Sequence, residues 1–149
     1  MHFFLGSHRA QLGWILLLGL IIGCGDDEPP RKTTYPVTGT VFVDGQPAAN
    51  LSVKLYSVNG MDEDDPTFST AFTDPSGAFS LSTYESGDGV PEGEYVLTFV
   101  WGEINPLSLE YGGPDRLQGR YRDPSRSQHR VTVQAGQPTD LGKIELTSR

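Results

Sequence analysis

The sequence predicts an all-β protein: one sandwich of seven short antiparallel strands behind an N-terminal export segment. Three observations carry this. Apolar and polar residues alternate in short runs from about residue 35 onward. Gly, Pro, Asn and Asp clusters separate those runs at turn-like spacing. No stretch beyond residue 24 keeps the 3.6-residue apolar period of a helix.

The chain is read in three parts: residues 1–23, 24–34 and 35–149. The first carries Arg9 and no acidic residue, then the unbroken apolar run WILLLGLII at 14–22. A run this short at 1.5 Å per residue cannot cross a ~30 Å hydrocarbon core, which needs roughly 20 residues. A basic start, a short apolar run and a small residue before the cut describe a secretory signal. Ile21-Ile22-Gly23-Cys24 resembles the lipobox of bacterial lipoproteins. The resemblance implies cleavage between Gly23 and Cys24, with a diacylglycerol on the thiol and a further acyl chain, such as palmitate, on the new N-terminus. Cys24 is the one cysteine of the chain, so no internal disulfide can form, and a free thiol would be a liability in an oxidising compartment. Gly25, rather than Asp, follows it, and by the family's sorting rule this points to the outer rather than the inner membrane.

The remainder is one domain in length. The chain holds 19 acidic and 11 basic residues, and removing the signal takes away a base and no acid. Such a charge argues against nucleic acid as a partner and against lying flat on an anionic membrane. Residues 25–34 (GDDEPPRKTT) read as a flexible tether. Val37, Val41 and Val43 then share one strand face, and Asp44-Gly45 is a tight-turn signal. Leu51, Val53 and Leu55 alternate in the next strand, and residues 68–73 form a third. Asp74-Pro75-Ser76-Gly77 is a turn in which Asp caps, Pro presets φ and Gly takes the left-handed position. Phe79 and Leu81 mark the fourth strand. Residues 93–101 (GEYVLTFVW) are the most apolar segment and read as a central strand. Two more strands, at 130–134 and 141–147, close the chain.

These residues carry a second resemblance. Val37-x-Gly39-x-Val41, Asp44-Gly45-x-Pro47, Val53-x-Leu55, Thr73-Asp74-x-x-Gly77-x-Phe79 and Gly93-x-Tyr95 together resemble a carboxypeptidase regulatory-like domain of the transthyretin-like (prealbumin-type) group. The ending Tyr121-Arg122-Asp123-Pro124-x-x-Ser127, Val131-x-Val133, Gly136 and Ile144-x-Leu146 is similar to short bacterial envelope lipoproteins built on that domain. The resemblance implies a Greek-key sandwich without catalytic function. Enzymes of related architecture need several histidines, or two tyrosines and two histidines on iron. Tyr111 and Tyr121 are present, but beyond the signal His129 stands alone. It is read as a solvated histidine at a strand entrance.

Two regions carry candidate binding residues. The acidic run 62–65 should meet the 85–92 loop at the end of the sandwich where the chain enters. Asp62, Asp64 and Asp65 are the weak candidates for a metal there, Ca²⁺ being the ion that carboxylates suit. The spacing fails the EF-hand pattern, so no metal cofactor is expected. At the opposite end runs the long connection 102–128. Loops of this length are normally functional or disordered. Tyr111, Arg116, Tyr121 and Arg122 are its candidate ligand-binding residues, because exposed Tyr and Arg are enriched at binding hot spots. The alternative is that the tyrosines plug the sandwich end and the arginines pair with local acids.

The expectation is therefore a non-enzymatic envelope protein, held to the membrane through lipid on Cys24. It would bind an envelope protein or glycan, or act as an accessory structural subunit of an envelope assembly. A calcium- or glycan-binding surface module is the narrower alternative.

Overall fold

The computed structural model describes residues 31–149. The expected signal peptide, the Gly23–Cys24 junction and the first part of the tether lie outside the described residues. Twelve strand segments follow in order: β1 (Thr34–Tyr35), β2 (Val37–Val43), β3 (Gln46–Pro47), β4 (Ser52–Ser57), β5 (Ser69–Phe72), β6 (Ala78–Ser80), β7 (Val90–Pro91), β8 (Gly93–Val100), β9 (Glu103–Ile104), β10 (Tyr111–Gly112), β11 (Arg130–Val133) and β12 (Thr139–Leu146). The one helical element among the described residues is a 3₁₀ turn at Pro124–Arg126. None is long and apolar enough to cross a membrane.

Two sheets form the body. One runs β11-β8-β4-β5; the other is built on β2, which pairs with β12 on one edge and with β3 and β6 on the other. Between them lie Val37, Val41, Phe79, Ile144 and Leu146 from one side and Val53, Leu55, Leu97, Phe99, Val131 and Val133 from the other, in one continuous apolar cluster. The alternation Val53/Leu55 in β4 and Val131/Val133 in β11 buries one face of each strand, as a half-exposed sheet requires. β8 is the exception: Val96, Leu97, Thr98 and Phe99 are all buried. Buried Thr73 ties the turns together. Its hydroxyl donates to the carbonyl of Ala48 (2.5 Å) and accepts from the N–H of Leu51 (2.8 Å). At one margin the sheets are bridged where Thr70 and Ser82 exchange backbone hydrogen bonds of 2.9 Å.

The structure departs from the sequence reading in three ways. The sandwich is not wholly antiparallel: β12 runs parallel to β2, with register from Thr139 opposite Val37 to Leu146 opposite Val43. The chain between these strands passes through the other sheet, so no hairpin forces them antiparallel. Five two-residue strands, β1, β3, β7, β9 and β10, accompany the seven expected ones. The tether also ends earlier than residue 34. Arg31 pairs with Glu85 at 3.2 Å, Lys32 with Asp62, and Thr34 lies opposite Pro91. The two basic residues fasten themselves to the acidic loops they meet.

Connection 102–128 is not a loose loop. β9 and β10 pair as a short hairpin. The Asp115 carboxylate accepts from the N–H groups of Trp101 (2.9 Å), Leu117 (3.0 Å) and Gly119 (2.9 Å). Leu117 enters the core fully buried. The carbonyls of Tyr121 and His129 then accept from the N–H groups of Phe99 and Leu97 at 2.9 and 2.8 Å, continuing the β11 edge irregularly along β8.

Candidate functional site

The sequence-derived candidates separate into different places. Tyr111 folds back over the end of β8, where its hydroxyl donates to the Val100 carbonyl (2.8 Å) and accepts from the Gly102 N–H (2.6 Å). Burial holds its phenol above the ordinary value of 10.0. Arg116 stacks on Trp101, its guanidinium carbon 3.6 Å from the ring centre. Tyr121 packs edge-on against Phe99 (centroids 6.4 Å apart) and its hydroxyl accepts from the Thr147 N–H at 3.1 Å. Tyr111 and Arg122 alone of the four line a common cavity.

That cavity lies on the outer face of the β11-β8-β4-β5 sheet. Successive residues of a strand point to opposite faces. Because Val53, Leu55 and Ala71 take the core side, Ser52, Lys54, Tyr56, Thr70 and Phe72 take the other. The register places Ser52 opposite Phe72 and Lys54 opposite Thr70 on one side, and opposite Val100 and Thr98 on the other. Hairpin residues Tyr111, Gly112 and Gly113 wall one end, enclosing about 380 Å³ with Lys54, Phe72 and Arg122. Phe72 is 54% exposed and meets Tyr111 edge-on at 4.8 Å.

A larger cavity of about 750 Å³ adjoins it at the end where the tether enters. Tyr56 lines both. Phe68, 50% exposed, stands T-shaped to Tyr56 at 6.5 Å, and Met61, Tyr95, Glu92 and Lys32 complete the surround. Phe68 and Phe72 are four residues apart along one edge, about 13 Å at strand rise. The two cavities meet at Tyr56: the smaller lies on the outer sheet face and is basic beside Phe72, while the larger opens at the tether end, where the core-side residues Leu55, Ser57, Ser69 and Tyr95 also line it, and is mostly acidic beside Phe68.

The acidic loops do meet at the tether end, but their carboxylates are engaged individually. Asp62 pairs with Lys32, whose hydrogen bond holds it below its ordinary 3.8. Asp65 accepts from the Tyr84 hydroxyl at 2.5 Å. Asp88 accepts from the N–H groups of Thr83, Tyr84 and Glu85. Asp64 donates its N–H to Asp62 and makes no shared site with Asp65. Among the described residues no group of three or more metal-donor side chains converges.

The reading of His129 as solvated is corrected. Its ring lies edge-on to Phe99 (5.2 Å) and beside Tyr121 (6.2 Å), and burial pushes its imidazole below the ordinary 6.5. The unfolded chain then takes up this proton first as pH falls. Stability contributed at neutral pH is therefore lost below about pH 6.5, levelling off once the folded-state value is passed. Asp44, Asp74 and Asp123, held low by the hydroxyls of Ser148, Ser76 and Ser125, lose their contribution only below about 3.8. Melts between pH 7.5 and 5.5 should show a falling midpoint in the wild type and a flatter response in His129→Gln. Parallel responses would contradict this.

Sequence reasoning missed Lys54, Tyr56, Phe68 and Phe72. The signal was there: two phenylalanines, at 68 and 72, fall on the solvent phase of a strand whose other phase holds Ser69 and Ala71.

No family model matches the chain, and no curated protein matches it. Solved structures that align with the chain include the major pilin subunit of Bacillus cereus, 15% identical with a TM-score of 0.48, covering 78% of this chain and 31% of the pilin. A 9R-lipoxygenase from Cyanothece is 13% identical with a TM-score of 0.40, covering 76% of this chain and 16% of the lipoxygenase. A DUF3823 family protein from Parabacteroides merdae is 18% identical with a TM-score of 0.38, covering 78% and 46%. The chain spans less than half the length of each of these three. At these levels they carry no argument about fold or activity, and the sandwich rests on the strand pairing and the core described above.

Proposed function

We propose that the protein is a non-catalytic, lipid-anchored module of the bacterial cell envelope that binds an elongated glycan along the outer face of its four-stranded sheet. In this reading residues 1–23 are removed and Cys24 carries the acyl chains. The sandwich is a seven-stranded Greek-key domain of the carboxypeptidase regulatory-like, transthyretin-like kind. Gly25 favours the outer membrane. Lys32 lies eight positions beyond Cys24, a stretch that at full extension spans about 28 Å. The domain would stay near the lipid, with the outer sheet face running away from its tethered end.

The observation that carries the binding role is the pair of cavities sharing Tyr56, each walled by a half-exposed phenylalanine. The half-exposed rings beside these two cavities hold apolar surface in water, and stacking against an apolar ligand face removes it. The basic and hydroxyl groups between them suit orientation of a polar ligand rather than bond breaking.

The test is co-sedimentation of the detergent-solubilised full-length protein with an insoluble envelope polysaccharide fraction. Phe68→Ala/Phe72→Ala should weaken retention by about tenfold or more, a loss of about 1.4 kcal/mol or greater. Lys143→Gln, on the other sheet, should leave it unchanged. Equal retention of the wild type and the double variant would remove the outer face from the account.

A further inference from the structure

Resting on the reading of the outer sheet face as a binding face, we propose that the cavity beside Arg122 takes an anionic saccharide, a sugar ring carrying a carboxylate. The chain is strongly acidic, yet the two charged side chains on this cavity are Lys54 and Arg122. The ion pairs Arg31–Glu85, Lys32–Asp62 and Lys143–Glu145 include neither. A protein with carboxylates in excess has left two bases together without one, which is the charge pattern of an anion site. The guanidinium offers a planar fork that fits a carboxylate with two parallel hydrogen bonds, and the ammonium adds a mobile point charge.

The remaining wall decides between a bare anion and a ring. Phe72 stands half-exposed against the cavity, steadied edge-on by Tyr111, whose hydroxyl is itself fixed to the backbone at Val100 and Gly102. An aromatic face carries negative charge density and attracts the weakly positive C–H face of a sugar ring. Inorganic phosphate has no such face and would leave Phe72 unused. The volume of about 380 Å³ is at the small end of ligand sites and suits one or two rings. A polymer acidic along its whole length would run into Glu92 and Asp65 beside Phe68. The acidic ring is therefore placed at the Arg122 end, with the continuing chain uncharged where it passes Tyr56.

The test is calorimetric titration of the detergent-solubilised full-length protein with glucuronic acid, glucose, inorganic phosphate and a short glucuronate-containing oligosaccharide. Glucuronate should bind about tenfold or more tightly than glucose. Arg122→Gln and Lys54→Met should each remove most of that preference, Arg122→Lys should restore part of it, and Phe72→Ala should weaken both sugars. Binding of the monosaccharide equal to that of the oligosaccharide marks a free acidic sugar as the ligand; a marked gain for the oligosaccharide marks an acidic residue within a polymer. Equal affinity for glucose and glucuronate, both lost with Phe72→Ala, would overturn the acidic class and leave the binding face standing. Phosphate binding as tightly as glucuronate, with Phe72→Ala silent, would overturn the ring. No binding of any of the four by a protein whose envelope retention also ignores Phe68 and Phe72 would overturn both readings.

Discussion

Phe99→Ala should lower the unfolding free energy by about 3–5 kcal/mol, the usual loss for emptying a buried aromatic site. Phe99 is fully buried in the middle of β8. It is also where the long connection is fastened: its ring meets Tyr121 and His129 edge-on, and its N–H donates to the Tyr121 carbonyl at 2.9 Å. Truncation removes apolar burial and both ring contacts at once, while the backbone bond can persist. In a domain of this size the melting midpoint should drop by on the order of 10 °C. Phe99→Leu keeps most of the volume and should cost less than half as much. Chemical denaturation of the three proteins checks this. A loss below about 1 kcal/mol for Phe99→Ala would mean that β8 is not the centre of the core.

Cys24→Ala should move the protein from the membrane fraction to the soluble fraction, shifting the partition ratio by about a hundredfold or more. Each buried methylene contributes about 0.8 kcal/mol, so one chain binds marginally and two or more on one residue hold stably. Under the proposed anchoring the variant would lose every chain together, and the described domain offers no apolar helix long enough to replace them. Fractionation of expressing cells, with intact masses of both proteins, is the measurement. The wild type should begin at Cys24 and carry acyl mass. A soluble, unacylated wild type would make the protein a secreted sandwich with a free thiol.

The strands were legible because alternation is local. Val37/Val41/Val43, Val53/Leu55 and Val131/Val133 each declare a buried face within a few residues, and Asp44-Gly45 and Asp74–Gly77 declare the turns; Asp44, Gly45 and Gly77 all take positive φ. The parallel pairing of β12 with β2 was not legible, since it joins strands at opposite ends of the domain and leaves no local trace. The order within 102–128 was hidden for a different reason. It hangs on one carboxylate, Asp115, and one isolated leucine, Leu117, and neither makes a periodic pattern. The candidate site was half legible. Composition singled out Tyr111 and Arg122, but the same logic also selected Arg116 and Tyr121, which Trp101 and Phe99 engage. Phe68 and Phe72 fall on the solvent phase of the strand the sequence predicts at 68–73, but only the register and the folding back of 111–113 show that Phe72 borders a cavity with Tyr111 and Arg122.

Ligand mapping tests the central claim most directly. Backbone amide resonances of the protein would be followed while envelope oligosaccharides, neutral and acidic, are added. The account predicts shifts concentrated at Lys54, Tyr56, Phe68, Thr70, Phe72 and the 111–113 segment, along one face of one sheet. Shifts concentrated instead on β2 and β12, with the outer face of β4 and β5 silent, would contradict it.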